Sequence, residues 1–260
     1  MIVISVSNLK GGVAKTTVVS SLCWLLAKDG YSVLAIDMDP QADLSKRLGL
    51  TEEQREEKNI FEALVGTVKD VPLSDVIYNV GPYDLVPSDK SMIQYESRSD
   101  LFSRETRLKF KLDDDNIREK YDVIVIDTPP YLGLISICAL TASDRVLIPV
   151  DMDDASIMGC VQLNETINTI KRWYNPGISV AGVFRARVKS NTNAAKDSNE
   201  QLTDICNRLQ FKQFDTFIRD SAKVAESHSF RKSIYEYAPS CISAVDYKKF
   251  YNEAKEVLLK

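Results

Sequence analysis

The sequence predicts one α/β domain, a largely parallel twisted sheet with helices on both faces. Short runs rich in β-branched residues recur at Ile2 to Ser7, Val33 to Asp37, Val123 to Asp127, Val146 to Val150, Ser179 to Phe184 and Phe214 to Ile218, with helical stretches between them. These runs are apolar at successive positions, the pattern of strands covered on both sides. Leu85 and Val86 mark a further short strand. The chain has 260 residues, 44% of them apolar, and no Gly/Ser/Pro-rich linker, low-complexity tract or internal repeat. Length alone also allows two small domains. Without a linker, a single domain over residues 1–260 is expected.

Taken in order, the first run lacks a basic leader and is too short for a signal peptide or a spanning helix. The strongest helix follows Lys15: Val18, Val19, Leu22, Leu25 and Leu26 recur at spacings of three and four, and Gly30 supplies the stop. Trp24 falls in this helix and is assigned to the core. Thr51 to Asn59 and Ser88 to Asp100 are polar, and each reads as surface helix or loop without a further task. Cys23, Cys138, Cys160, Cys206 and Cys241 are scattered and never form Cys-x-x-Cys. They predict small buried apolar residues in a reducing cytoplasm, with neither a disulfide framework nor a zinc or iron–sulfur site.

Net charge is −4, which argues against a nucleic-acid partner until it is resolved along the chain. Val180 to Lys260 carries 14 basic and 10 acidic residues, so the remainder bears a net −8. A DNA-binding face therefore belongs in the C-terminal third.

The first strand leads into Lys10-Gly11-Gly12-Val13-Ala14-Lys15-Thr16-Thr17 and then into the helix. Strand, tight loop and helix N-terminus make an anion site, because free backbone N–H groups and the positive end of the helix dipole converge there. Lys15 is placed on the β and γ phosphates and Thr16 on Mg²⁺. The common G-x-x-x-x-G-K-[ST] pattern fails, its glycines falling on Leu9 and Ala14. The form present has a second lysine, Lys10, which a second phosphate cluster nearby would explain. Asp37 and Asp39 stand at a strand end in Asp37-Met38-Asp39-Pro40-Gln41. Asp127 ends an apolar strand before Thr128-Pro129-Pro130, as a metal-side carboxylate does in phosphoryl-transfer sites.

These motifs resemble the deviant Walker A, switch I and Walker B segments of the ParA/MinD family of P-loop ATPases. Further stretches, Ser103 to Lys109, Asp127 to Gly133, Ala139 to Asp144 and Val146 to Val150, read like ParA or Soj partitioning proteins. The resemblance implies an ATPase with ATP and Mg²⁺ as cofactors. It also implies a homodimer that clasps two nucleotides, with Lys10 crossing to the partner's phosphates. Lys10, Lys15 and Asp39 are then catalytic, Asp39 orienting the attacking water with an unshifted carboxylate. The loop from Lys10 to Thr17 binds nucleotide, and Thr16, Asp37 and Asp127 serve the metal, the aspartates through water. No arginine finger in cis is expected, so turnover should be slow without a partner.

By the same resemblance the chain positions a plasmid, chromosome or other large cargo, binding duplex DNA non-specifically and answering to a small basic ParB-like adaptor. Phe217 to Ser221 and Ala225 to Ser227 resemble the DNA-contacting region, although the usual E-A-x-x-x-G is replaced by Glu226-Ser227-His228-Ser229-Phe230-Arg231. Arg219 leads the expected contacts, with Arg187, Lys189, Lys223, Arg231 and Lys232, and with Arg185 and Lys196 beside them. No helix-turn-helix precedes the phosphate loop, so site-specific operator binding is not expected. The protein should be cytoplasmic, and nucleoid-associated in its ATP state. The rival is a MinD-like membrane-surface ATPase, since apolar positions 247, 250, 251, 254, 257 and 258 form a stripe opposite Lys248, Lys249 and Lys255. A closing helix packed on the sheet explains that stripe equally, and membrane binding is not expected. Iron–sulfur or metal-delivery relatives are disfavoured for want of paired cysteines. His228, the single histidine, has no catalytic role.

Overall fold

Successive residues of the strands enter two different apolar layers, which is why the runs read as continuously hydrophobic. In the first strand Val3 joins one layer while Ile4 and Val6 join the other. The computed structural model describes residues 2–66, 70–114, 117–189 and 193–260, without the side chains of residues 114 and 193–196. Seven strands, β1 (Ile2–Val6), β2 (Val33–Asp37), β3 (Tyr78–Asn79), β4 (Asp84–Val86), β5 (Val123–Asp127), β6 (Arg145–Val150) and β7 (Ser179–Arg185), form one sheet in the order β3-β4-β2-β5-β1-β6-β7. All neighbours are parallel except β3 and β4.

Thirteen α-helices surround the sheet: α1 (Lys15–Lys28), α2 (Asp43–Arg47), α3 (Glu52–Glu57), α4 (Ile60–Val65), α5 (Met92–Ser97), α6 (Arg107–Asp114), α7 (Ile117–Lys120), α8 (Leu134–Thr141), α9 (Asp154–Trp173), α10 (Asn193–Leu209), α11 (Ala222–Ser229), α12 (Ile234–Tyr237) and α13 (Ile242–Leu258), counted among the described residues. One layer is built on α1 and α13, and the opposite layer is divided between α4 to α8 and α9 with α10. Val18, Val19, Leu22, Leu25 and Leu26 of α1 are all buried, each contributing about 1.5–3 kcal/mol relative to exposure. That packing fixes the direction in which the N-terminus of α1 points.

Tyr247, Phe250, Tyr251, Ala254 and Leu258 of α13 are buried in the same layer, so the C-terminal stripe is a closing helix. Trp24 is half-buried and stacks on Tyr235 with ring centroids 4.4 Å apart. Four cysteines are buried, and Cys241 is only partly so. Among the described residues no helix is long and apolar enough to cross a membrane.

Two expectations are corrected. Phe214 to Ile218 is not a strand of the sheet; it runs beside β7 through Phe214 N to Val183 O and Ile218 N to Arg185 O, both 2.9 Å. Between those points the N–H groups of Asp215 and Thr216 turn away to the Glu253 carboxylate, at 2.8 and 2.9 Å, so the ladder cannot close. The segment Ser88 to Asp100 is not an idle surface. Met92 and Tyr95, three residues apart on α5, are fully buried, and two apolar residues among polar ones made the helix hard to see. Thr51 to Asn59 does form a surface helix, α3, closed by a capping box between Thr51 and Gln54.

Candidate active site

Parallel pairing brings the C-terminal ends of β1, β2 and β5 together, with Asp127 opposite both Val6 and Asp37. The loop after β1 turns back through Gly12 at φ 81° and Ala14 at φ 67°, a left-handed conformation that is costly for a residue with a Cβ. Ala14 is the N-cap of α1 but offers no side-chain acceptor, and the first turn contains no acid. The helix therefore begins with donors directed at the cleft and the positive end of its dipole uncompensated by a carboxylate of that turn. Lys15 is buried, and its Nζ arches back to donate to the carbonyls of Asn8 and Lys10, each at 3.0 Å. Burial holds its ammonium below the usual lysine range, against the opposing pull of Asp127 and Asp39.

Asn8 was not foreseen. Fully buried, it donates to Pro149 O at 2.7 Å and Ser156 Oγ at 3.3 Å, and it accepts from Lys10 N at 3.0 Å. A Cβ on Gly159 would come within 3.0 Å of the Asn8 Oδ1, so a glycine in α9 lets the amide pin the loop to β6 and α9. Lys10 is tied in the same region. Its ammonium pairs with Asp153, the N-cap of α9, and lies 3.8 Å from Asp151.

The three aspartates differ in what engages them. Asp37 accepts from three donors: Asp39 N at 3.1 Å, Ser45 N at 3.0 Å and Ser45 Oγ at 2.7 Å. It thereby anchors α2, and complete burial pushes its carboxyl up to about 7. Asp127 is also buried, and its Oδ1 has no hydrogen-bond partner. Desolvation first, and then the charge of Asp37, raises its pKa well above the carboxylate range, while a hydrogen bond from Thr16 opposes the rise. An orphaned buried carboxylate oxygen beside a threonine hydroxyl fits a hydrated divalent cation. Among the described residues no cluster of three or more His, Cys, Asp or Glu forms a metal cage, and Mg²⁺ bound to phosphates needs none. Asp39 is half-buried, accepts from Gln41 N at 2.9 Å, and is raised by desolvation rather than unshifted.

A cleft of about 450 Å³ is lined by Gly11, Lys15 and Asp39 together with the apolar Ile218, Val224 and Tyr247. Arg187 and Arg219, both expected as DNA contacts, line it. Arg187 donates to Gly12 O at 2.6 Å. Arg219 makes a two-pronged pair with buried Asp246, Nε to Oδ2 at 2.7 Å and Nη2 to Oδ1 at 2.5 Å. His228 also lines the cleft, and burial, then Arg47, pushes its imidazole down to about 4. Of the other basic candidates, Arg185 donates to Asp215 O and lies over the Phe217 ring, and Lys223 pairs with Glu226 at 2.8 Å. Lys189, Arg231 and Lys232 are exposed, with no ion pair among the described residues. The side chain of Lys196 lies outside the described residues.

The segment that follows Asp127 is held from outside its own motif. The Glu96 carboxylate of α5 accepts from Leu134 N at 2.8 Å and Ile135 N at 3.2 Å, capping α8. A Cβ on Gly133 would lie 2.5 Å from Glu96 Oε1, so any larger residue there would push the Glu96 carboxylate off the α8 N-terminus.

A family model described as an AAA domain matches residues 1–180. The sporulation initiation inhibitor protein Soj of Bacillus subtilis (strain 168) is 33% identical over 258 residues, covering 98% of this chain and 97% of Soj. The chromosome-partitioning ATPase Soj of Thermus thermophilus is 30% identical over 252 residues, covering 96% and 94%. Among solved structures, cobyrinic acid a,c-diamide synthase from Mycobacterium smegmatis with bound ATP analog and magnesium gives a TM-score of 0.82 at 27% identity, over 97% of this chain and 93% of that one. Similarity that runs the length of two Soj proteins, on a sheet whose strand ends converge on a phosphate loop, leaves one assignment: the chain belongs to the AAA-domain family, as a P-loop ATPase of the ParA/Soj type.

Proposed function

We propose that this chain is a partition or positioning ATPase that binds Mg²⁺ and ATP in the cleft, dimerises around the nucleotide and holds duplex DNA without sequence preference. The observation that carries the reading is a single cleft lined by Lys15, Thr16 and Asp39 at a helix N-terminus that no side chain caps, with the buried, orphaned Asp127 oxygen close to Lys15 and Thr16. Nucleotides with magnesium are named for a relative of the same fold, which supports the choice of ligand.

In this reading the backbone from Lys10 to Thr17 cradles the phosphates, and Lys15 moves from the loop carbonyls onto the β and γ oxygens. Thr16 and, through water, Asp127 hold Mg²⁺, which supplies charge neutralisation on the phosphates. Asp39 aligns a water in line with the leaving oxygen; positioning and charge stabilisation are what a loose phosphoryl transition state requires. Lys10 exchanges its own carboxylates for the phosphates of a second copy. Release of ADP and phosphate is slow until a cargo-bound, ParB-like basic adaptor engages the dimer. The protein then works in the cytoplasm, on the nucleoid in its ATP state. The partitioning role of the Soj relative supports this cargo class, and burial of most of the α13 stripe favours it over a MinD-like membrane mode.

The test is size-exclusion chromatography with Mg²⁺ and a non-hydrolysable ATP analogue, followed by co-sedimentation with duplex DNA or anionic liposomes. A dimer that pellets with DNA is expected, and Lys15→Ala should remain monomeric with nucleotide affinity reduced at least about 100-fold. A wild-type chain that stays monomeric, or that pellets only with liposomes, rejects the proposal.

A further inference from the structure

Arg47 ends α2, the short helix that follows Asp39, and it reaches into the cleft. Its Nη1 donates to the Thr17 hydroxyl at 3.2 Å, and its side chain is 28% exposed. Among the described residues its ion pair is with Asp43 alone, at 3.7 Å and half-exposed, too long and too wet to neutralise the charge. The other two arginines of the cleft are engaged at shorter range, Arg219 by Asp246 and Arg187 by the Gly12 carbonyl. The neighbouring imidazole of His228 is neutral at physiological pH. Arg47 is thus a part-buried guanidinium facing an anion site with a hydroxyl as its closest partner.

Its hydrogen-bond partner selects which part of the ligand it meets. In the proposed reading Lys15 and Thr16 serve the β and γ phosphates and the metal, and Ile218, Val224 and Tyr247 supply apolar lining to the same cleft. Thr17 is the next residue along from Thr16, and Arg47 is held at its hydroxyl. We propose that Arg47 is a nucleotide ligand whose guanidinium takes the α-phosphate, tying α2 to nucleotide occupancy. Two residues earlier, Ser45 holds Asp37, so the same helix grips the strand-end carboxylate and the nucleotide. A planar guanidinium suits a phosphate better than an ammonium does, because two parallel N–H groups meet two oxygens. This proposal rests on nucleotide binding in the cleft.

Isothermal titration calorimetry with Mg·ADP, Mg·GDP and a non-hydrolysable ATP analogue tests it on wild type, Arg47→Gln, Arg47→Lys and Lys15→Ala. Arg47→Gln should weaken ADP and the ATP analogue by the same factor, about 10- to 100-fold, because the α-phosphate is common to both. Arg47→Lys should recover part of the loss, and the ratio of ADP to GDP affinity should not change. ADP affinity within twofold of wild type in Arg47→Gln overturns the assignment. A changed ADP to GDP ratio also overturns it, because Arg47 then reads the base. If wild type binds none of the three, the nucleotide reading fails together with this one; if Lys15→Ala abolishes binding and Arg47→Gln does not, Arg47 alone is dismissed. Should Arg47→Gln fold poorly by circular dichroism, Arg47→Lys decides by the same criteria.

Discussion

The edge where β1, β2 and β5 end and the basic segment from Arg185 to Lys232 are both crowded with charge, yet they use it oppositely. At the strand ends Asp37, Asp127 and Lys15 are buried and held near one another at an energetic cost, and no one-to-one pairing cancels them. In the basic segment Arg219 and Lys223 each pair with a carboxylate of their own chain. Charge kept buried and incompletely neutralised points to an absent counterpart, whereas charge neutralised locally points to structure.

The largest test of that contrast is Asp39→Ala. Its carboxylate makes only a local turn contact with Gln41, so the fold should tolerate its loss. If it positions water, turnover should fall by about 10²-fold or more with ATP retained and the dimer persisting, read by single-turnover phosphate release. Wild-type turnover in this variant would place the water elsewhere.

Arg219→Glu against Lys232→Glu separates the two halves of the basic segment. Arg219 satisfies the buried Asp246, so reversing its charge sets two carboxylates together and should lower Tm by roughly 5 °C or more. Lys232 and Arg231 are exposed and unpaired among the described residues. Lys232→Glu should keep its Tm and weaken duplex DNA binding, with the slope of log affinity against log salt reduced by about one. Unaltered DNA affinity in Lys232→Glu and lost affinity in a well-folded Arg219→Glu would reverse the assignment.

What made the first region legible is covalent proximity. Lys10 to Thr17 lie within one loop, and Asp37 and Asp127 end strands whose hydrophobic runs announce them, so spacing alone carried the geometry. The residues that complete the site come from afar: Asn8 is fixed by Pro149 and Ser156, Asp37 by Ser45, and the start of α8 by Glu96 of a helix hidden in a polar stretch. No local pattern encodes such partners. The same limit hid the partner of Arg219, Asp246, 27 residues away. Fold class and layers were legible because the central strands β1, β2, β5 and β6 are buried on both faces along nearly their whole length; Phe214 to Ile218 was not, because Glu253 of α13 takes its N–H groups.

The strained carboxylates should also show in the pH dependence of stability. The Asp37 carboxyl titrates near 7 in the folded chain and near 3.9 when unfolded, so between these values the native state binds a proton that the unfolded state has released. Its contribution is complete below about pH 4 and is lost as pH rises through 7. His228 runs the other way: held at about 4 when folded against about 6.5 unfolded, it costs stability as pH falls from 6.5. The two nearly offset each other below pH 6.5, and above it the carboxylate outweighs the fading contribution of the imidazole. Urea unfolding of nucleotide-free His228→Asn should therefore show stability falling by about 0.7 kcal/mol from pH 6.5 to 7.5, and the wild-type chain by about half of that. A flat profile would mean that Asp37 is ionised throughout, and the cost attributed to the strand ends would vanish.

The smallest expected effect belongs to Ala14, where the loop departs from the usual glycine. At φ 67° its Cβ costs about 1–2 kcal/mol, while glycine would cost about 0.5–1 kcal/mol in unfolded-chain entropy. Ala14→Gly should be stabilising by less than about 1 kcal/mol, a Tm gain of about 1–3 °C, with ADP affinity unchanged because the N–H groups of the loop keep their places. Ala14→Val, β-branched in the same conformation, should instead lower Tm. A loss of several degrees in Ala14→Gly would show that the Ala14 methyl contributes more by packing against the α1 layer, where it is partly buried, than its conformation costs.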